Sequence, residues 1–103
     1  MTERVGASFN ERVWELTALI PKGKVTTYQI LAEKLGTKAY RAVGNALNRN
    51  PHAPEVPCHR VVKSDGNIGG FAHGAAKKTE MLRKEGVEIK EKKIDLKRYL
   101  FRF

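Results

Sequence analysis

The chain has 103 residues, enough to bury one core but not two, and its 41% hydrophobic and 30% charged composition is that of an ordinary globular domain. No apolar run approaches the length of a bilayer span, no secretory or transit peptide is visible at Met1-Thr2-Glu3, and one cysteine forms no internal disulfide, so a reducing, cytoplasmic setting with no membrane partner is expected. The net charge of +9 calls for a polyanionic partner, with nucleic acid the first candidate.

In chain order, Ser8 and Glu11 have capping-box spacing, and Phe9, Val13, Leu16 and Ile20 recur at helical intervals, which predicts a first helix over 9–19 ended by Pro21. Pro21-Lys22-Gly23-Lys24 is a turn. Thr26 and Gln29 repeat the capping spacing before a second helix over 28–35, closed by Gly36. A third helix is predicted from near Lys38 to Leu47, before Asn50-Pro51 stops it. Two short helices meeting at Gly36 read as a helix-turn-helix. Positive charge gathers there: Lys22, Lys24, Lys34, Lys38, Arg41 and Arg49 stand against the single acid Glu33, a net of +5. The small residues of the third helix leave one side nearly bare, which suits close approach to a groove or to a partner helix.

Beyond it, Pro51 to Pro57 hold three prolines and form a stiff connector. Val61-Val62-Lys63, Ser64-Asp65-Gly66-Asn67 and Ile68 predict a short β hairpin turning at Asp65-Gly66. The glycine-rich loop from Gly69 to Gly74 lacks the spacing of a phosphate-binding fingerprint, so no nucleotide cofactor is expected. A fourth helix is predicted over 75–85, with Ala76, Met81 and Leu82 inward and Gly86 as its stop. The basic tail, with Glu88, Glu91 and Asp95 interleaved, ends in Tyr99-Leu100-Phe101 and either docks on the core or stays mobile. The fold class is therefore mainly α with a short β hairpin, in one domain over 1–103.

The chemistry centres on Pro57-Cys58-His59-Arg60-Val61-Val62, which holds the only cysteine. The thiolate is the nucleophile, and cationic neighbours such as His59 and Arg60 favour it. In an extended run Cys58 and His59 would face opposite sides, so proton transfer between them requires a turn or a bridging water. A lone cysteine is also commonly a small buried hydrophobe, and the local sequence leaves both readings open. His52, His59 and His73 do not fall at metal-ligand spacings around Cys58, so no metal is expected.

Taken together, PCHRVV, the RAVGNAL stretch of Arg41 to Leu47, Asn50-Pro51, the VTTY of Val25 to Tyr28 and Lys84-Glu85-Gly86 resemble, in order and spacing, the O6-alkylguanine-DNA alkyltransferases. The resemblance covers about Phe9 to Gly86 and is to that family's C-terminal, active-site domain. It implies a winged helix-turn-helix fold and irreversible transfer of an alkyl group from O6 of guanine in double-stranded DNA to the protein's own cysteine, by a monomer without cofactor. It also implies roles: Cys58 as acceptor, His59 as the base acting through water, Glu85 as its orienting acid, and Asn50 as the tie between the recognition helix and the active-site turn. Arg41 would enter the base stack and Tyr28 would help rotate the nucleotide out. Thr27, Ala42, Gly44, Asn45 and Ala46 would border DNA in the minor groove, and Pro57, Val61, Phe71 and Ala72 the base pocket. Phe71 and Ala72 replace a tyrosine and a serine common in the family, at the expense of hydrogen bonds to the base. The N-terminal domain of many members is not expected here. An alternative from another class is a lesion-binding protein resembling the alkyltransferase-like proteins, which usually lack the cysteine. A sequence-specific winged-helix regulator and a cysteine hydrolase are further alternatives.

Overall fold

The computed structural model describes residues 8–51, 55–69 and 74–103. Helix α1 spans Phe9–Thr17, and its capping box is formed: Glu11 N–H donates to Ser8 Oγ at 3.1 Å while Ser8 N–H donates to Glu11 Oε1 at 3.0 Å. A two-residue strand β1 (Thr26–Thr27) leads into α2 (Tyr28–Lys34), and α3 (Tyr40–Asn48) follows after Gly36. The α2 cap is Thr27, whose Oγ1 accepts from Ile30 N–H at 3.1 Å, and not Thr26. Thr26 lies in β1 with its hydroxyl buried, because the chain is still extended there. Helix α3 starts two residues later than expected, with Thr37 Oγ1 accepting from Ala39 N–H in the turn that precedes it.

A 3₁₀ turn, Cys58–Arg60, runs directly into β2 (Val61–Val62), which pairs in parallel with β1 in the register Thr26 to Val61 and Thr27 to Val62. The turn at Asp65-Gly66 is present, with Lys63 N–H donating to Asn67 O and Gly66 at φ +90°. The expected return strand does not close a hairpin on β2, however. Ile68 N–H donates instead to Lys92 O, and Ile94 N–H to Gly66 O, so the tail is the turn's partner. A Cβ at Gly66 would meet the Ile94 carbonyl oxygen at 2.6 Å, a close approach that only glycine permits. The architecture remains mainly helical with a small sheet and a wing-like turn beside the helix-turn-helix.

Helix α4 (Ala75–Lys84) ends in a Schellman arrangement: Gly86 at φ +91° donates to Arg83 O, and Val87 N–H to Leu82 O. Its inward face differs from expectation, since Ala76 is exposed while Lys78 is fully buried with Leu82. The tail docks. It turns sharply at Glu91 and Lys92, forms the short α5 (Leu96–Tyr99), and runs beside β1, where Val25 N–H donates to Tyr99 O and Phe101 N–H to Val25 O.

Two apolar clusters share the ladder. Val61 packs with Val13, Leu31, Val43, Leu47 and Cys58, while Val62 packs with Val25, Ile68, Leu82, Val87 and Ile94, as the two-residue alternation of a strand requires. Trp14 Nε1 donates to the Ala46 carbonyl at 2.7 Å, locking α1 against α3. The sulfur is thus set where the helical cluster meets the sheet. Among the described residues, no helix is long and apolar enough to cross a membrane.

Candidate active site

Cys58 opens the 3₁₀ turn with only 7% of its surface exposed. Its placement is fixed by the Val56 carbonyl, which accepts both from Cys58 N–H at 2.8 Å and from Asn50 Nδ2 at 2.8 Å. Asn50 follows the end of α3, so one side chain connects that helix to the backbone carrying the sulfur. The turn also resolves the facing problem of an extended run, because three residues per turn no longer force Cys58 and His59 to opposite sides.

His59 is buried, with Nε2 3.0 Å from Glu85 Oε2. A carboxylate only accepts, so neutral His59 carries its proton on Nε2 and leaves Nδ1 as a free lone pair. Burial, the largest influence, lowers the His59 pKa below the usual 6.5 together with the charges of Arg60 and Lys78, against the hydrogen bond and charge of Glu85, which raise it. The ring is therefore neutral at physiological pH and able to take a proton. Burial pushes the Glu85 carboxyl up, but the hydrogen bonds from Arg60 and His59 and the charges of the same two residues together hold it below its ordinary value.

Arg60 has a different role from the one its sequence position suggested. Its Nε and Nη2 clasp Glu85 at 2.9 and 2.6 Å, and Nη1 donates to the Ile20 carbonyl at 2.8 Å. Its charge is committed to Glu85, tying the end of α4 to the segment after α1. The cation beside the cysteine is instead Lys78, which sequence reasoning missed. Lys78 is 0% exposed, its Nζ donates to the Val61 carbonyl at 2.7 Å and lies 5.7 Å from the centre of the Tyr28 ring. Burial pushes its pKa down to about 8, and the charge of Cys58 acts in the opposite direction. The Tyr28 phenol is raised by burial and then by Cys58, so it remains a neutral donor. Lysine is read as a surface residue by default, yet position 78 lies four before Leu82 and seven before Glu85, on one helical face. That periodicity was the available signal.

The remaining expected residues are distributed around this centre. Pro57 is buried ahead of the turn, and Val61 meets the site through its carbonyl while its side chain fills the core. Arg41 is exposed in the first turn of α3, Asn45 is exposed and Ala42 and Gly44 are half-buried, whereas Ala46 is fully buried in the core and leaves the helix's outer face. Thr27 is occupied as a helix cap. Phe71 and Ala72 lie outside the described residues, as do His52 and His73. Among the described residues, no group of three or more His, Cys, Asp or Glu is placed to hold a metal ion.

This geometry sets a pH response. Neutral buried His59 and ionised Glu85 each hold fewer protons folded than unfolded, so stability rises with pH between the folded and unfolded values of each. Their contribution is lost as pH falls, beginning near 6.5 for His59 and continuing below 4.5 for Glu85. Denaturant unfolding at stepped pH is expected to show that decline, and it should be absent below 6.5 in a His59→Phe variant until the carboxylate range is reached.

Fold and site together define a helix-turn-helix domain that buries one cysteine beside a histidine–carboxylate pair. A family model, 6-O-methylguanine DNA methyltransferase, DNA binding domain, matches residues 8–87. The chain belongs to the O6-methylguanine DNA methyltransferase family. It is 47% identical over 90 residues to a bifunctional methyltransferase/endonuclease of Picrophilus torridus, covering 86% of this chain and 30% of that protein. It is 46% identical over 81 residues to a methylated-DNA–protein-cysteine methyltransferase of Methanosarcina barkeri, covering 78% and 51%. The chain thus spans about half or less of the length of these curated relatives. Among solved structures, S. pombe Atl1 in complex with damaged DNA containing O6-carboxymethylguanine matches at a TM-score of 0.82 and 32% identity, over 92% of this chain and 95% of that one. Mycobacterium tuberculosis OGT in complex with DNA matches at 0.74 and 40% identity, over 78% and 50%.

Proposed function

We propose that this chain is the active-site domain of an O6-alkylguanine-DNA alkyltransferase, moving the alkyl group irreversibly to its own Cys58. The observation that carries the reading is that the only cysteine shares its 3₁₀ turn with His59, whose Nε2 meets Glu85 at the end of α4, with Lys78 buried under the same turn. The Cys58 thiol gives its proton through a water to His59 Nδ1, and Lys78 favours the thiolate that results. The sulfur then attacks the alkyl carbon, an S–C bond forms and the C–O6 bond breaks. The electron pair stays on guanine, where the neutral Tyr28 phenol is a proton source.

The target carbon is inaccessible in a stacked duplex, so the nucleotide must be extruded at a cost of a few kcal/mol, which Arg41 offsets by filling the vacated space. Basic contacts to phosphate supply sequence-independent affinity, as a scanning repair protein requires. The transfer needs no cofactor or second subunit, and a thiolate nucleophile suits the reducing cytoplasm, at the nucleoid in a prokaryote. Repair is expected to saturate at one lesion per protein molecule in a titration with O6-methylguanine duplex. Continued repair beyond equivalence, or none, would count against single-turnover transfer.

A second reading is favoured by the near-complete overlap with Atl1, which extends over 92% of this chain. In that reading the chain binds the lesion without removing it, and Cys58 is the feature opposed to it.

The slim outer face of α3 gives a further expectation. A Cβ on Gly44 meets nothing within 4 Å, so Gly44→Ala is expected to raise stability by about 0.5–1 kcal/mol through helix propensity. If that face enters a groove, the same change weakens duplex binding. Paired urea melts and binding titrations check both signs.

A further inference from the structure

We infer that the carboxy-terminal tail extends the DNA-contacting surface by placing Arg102 in a groove that follows the phosphodiester backbone; this deepens the DNA-binding reading above and rests on it. The family match ends at residue 87, so the tail contributes surface beyond the matched domain. Its position is dictated by the sheet. The parallel bridge between Val25 and Leu100 holds the tail beside the start of β1, and two residues beyond it Arg102 shares a cleft with Thr27. Phe101 and Phe103, 5.2 Å apart in an edge-to-face pair, pack against the helical core cluster, while Arg102 between them is exposed.

Arg102 lines a cleft of about 340 Å³ with Thr27, Gln29 and Ser64. A second cleft of about 320 Å³ shares Gln29 and Ser64 and continues to Tyr28, Lys63 and the 43%-exposed Tyr40, next to Arg41. The two clefts adjoin at Gln29 and Ser64, each carries one cation, Arg102 in the first and Lys63 in the second, and their linings include hydroxyl and amide groups and two acids. Its two acids are partly engaged: Glu33 accepts from Gln29 Nε2 at 3.2 Å, and Asp65 from Asn67 N–H at 2.9 Å. Neither Lys63 nor Arg102 is held by a carboxylate among the described residues. Flexible cations flanking neutral donors suit a chain of phosphates, which every duplex presents regardless of sequence.

The test is fluorescence anisotropy of a labelled duplex over a range of salt concentrations, with and without O6-methylguanine. Arg102→Gln is expected to lower the slope of log K against log salt by about 0.9 and to weaken binding equally on both duplexes. Arg102→Lys restores the slope. Lys84→Gln, on a separate cleft of α4, controls for net charge and leaves the slope unchanged. An unchanged slope in Arg102→Gln, or an equal fall in Lys84→Gln, overturns the inference while leaving the DNA-binding reading intact. A wild-type chain that binds neither duplex overturns both.

Discussion

Cys58→Ala is expected to abolish alkyl transfer completely while leaving lesion and duplex affinity in place. No other sulfur nucleophile is available except the thioethers of two methionines, and His59 without Cys58 has no thiol to deprotonate. The side chain is nearly buried and small, so truncation to alanine removes one sulfur and leaves the Val56 carbonyl still bonded to the backbone N–H of residue 58 and to Asn50. The fold should therefore survive, with a loss of about 1 kcal/mol from the vacated space. Single-turnover transfer and binding measured on the same preparation separate chemistry from recognition. Residual transfer in this variant would place the acceptor elsewhere.

Glu85→Ala is expected to damage both stability and rate. One carboxylate accepts from His59 Nε2, Arg60 Nε and Arg60 Nη2, so its loss strands a guanidinium in a poorly solvated position and frees the imidazole to turn. The stability loss should be about 2–3 kcal/mol, below the figure for a fully sequestered pair because Glu85 keeps some contact with water. Transfer should slow by about 10²-fold, the scale of a misplaced general base. Glu85→Gln keeps an acceptor for Arg60 and should recover part of the stability but less of the rate, because an amide stabilises the imidazolium less. Equal recovery of both would reduce Glu85 to a structural tie.

The local parts of this fold were legible because their causes are local. Ser8 and Glu11 announce α1 through reciprocal caps, Gly36 and Gly86 mark the helix ends, and Asp65-Gly66 the turn. Pairing partners were not, because β1 and β2 are two residues each and their ladder joins positions 35 apart, as in Thr26 to Val61. No periodicity in so short a strand states which edge it meets. The tail was equally opaque: its mixed charges decide neither docking nor mobility, while Val87, Ile89, Ile94 and Tyr99 supply half of a buried cluster.

At the site, the family resemblance named Cys58, His59, Glu85 and Asn50 together, and the fold gathers them around the 3₁₀ turn in two hydrogen-bonded sets, Asn50 with the backbone of Cys58 and Glu85 with His59. Adjacency misled at Arg60, whose sequence position next to His59 suggested a partner for the sulfur although its fork is turned to Glu85. It was silent at Lys78, twenty residues downstream of Cys58 and brought behind it only by the packing of α4 under the 3₁₀ turn. A buried lysine at pKa about 8 stands at considerable desolvation cost, offset through the Val61 carbonyl and the neighbouring sulfur.

The most direct measurement is intact-protein mass spectrometry after incubation with a duplex carrying one O6-methylguanine, beside the Cys58→Ser variant. The expected result is a gain of one methyl mass in the wild type alone, mapped to the peptide containing Cys58, with unmodified guanine left in the DNA. An unmodified wild-type protein that still holds the lesion duplex more tightly than undamaged DNA would contradict transfer and leave lesion binding as the function.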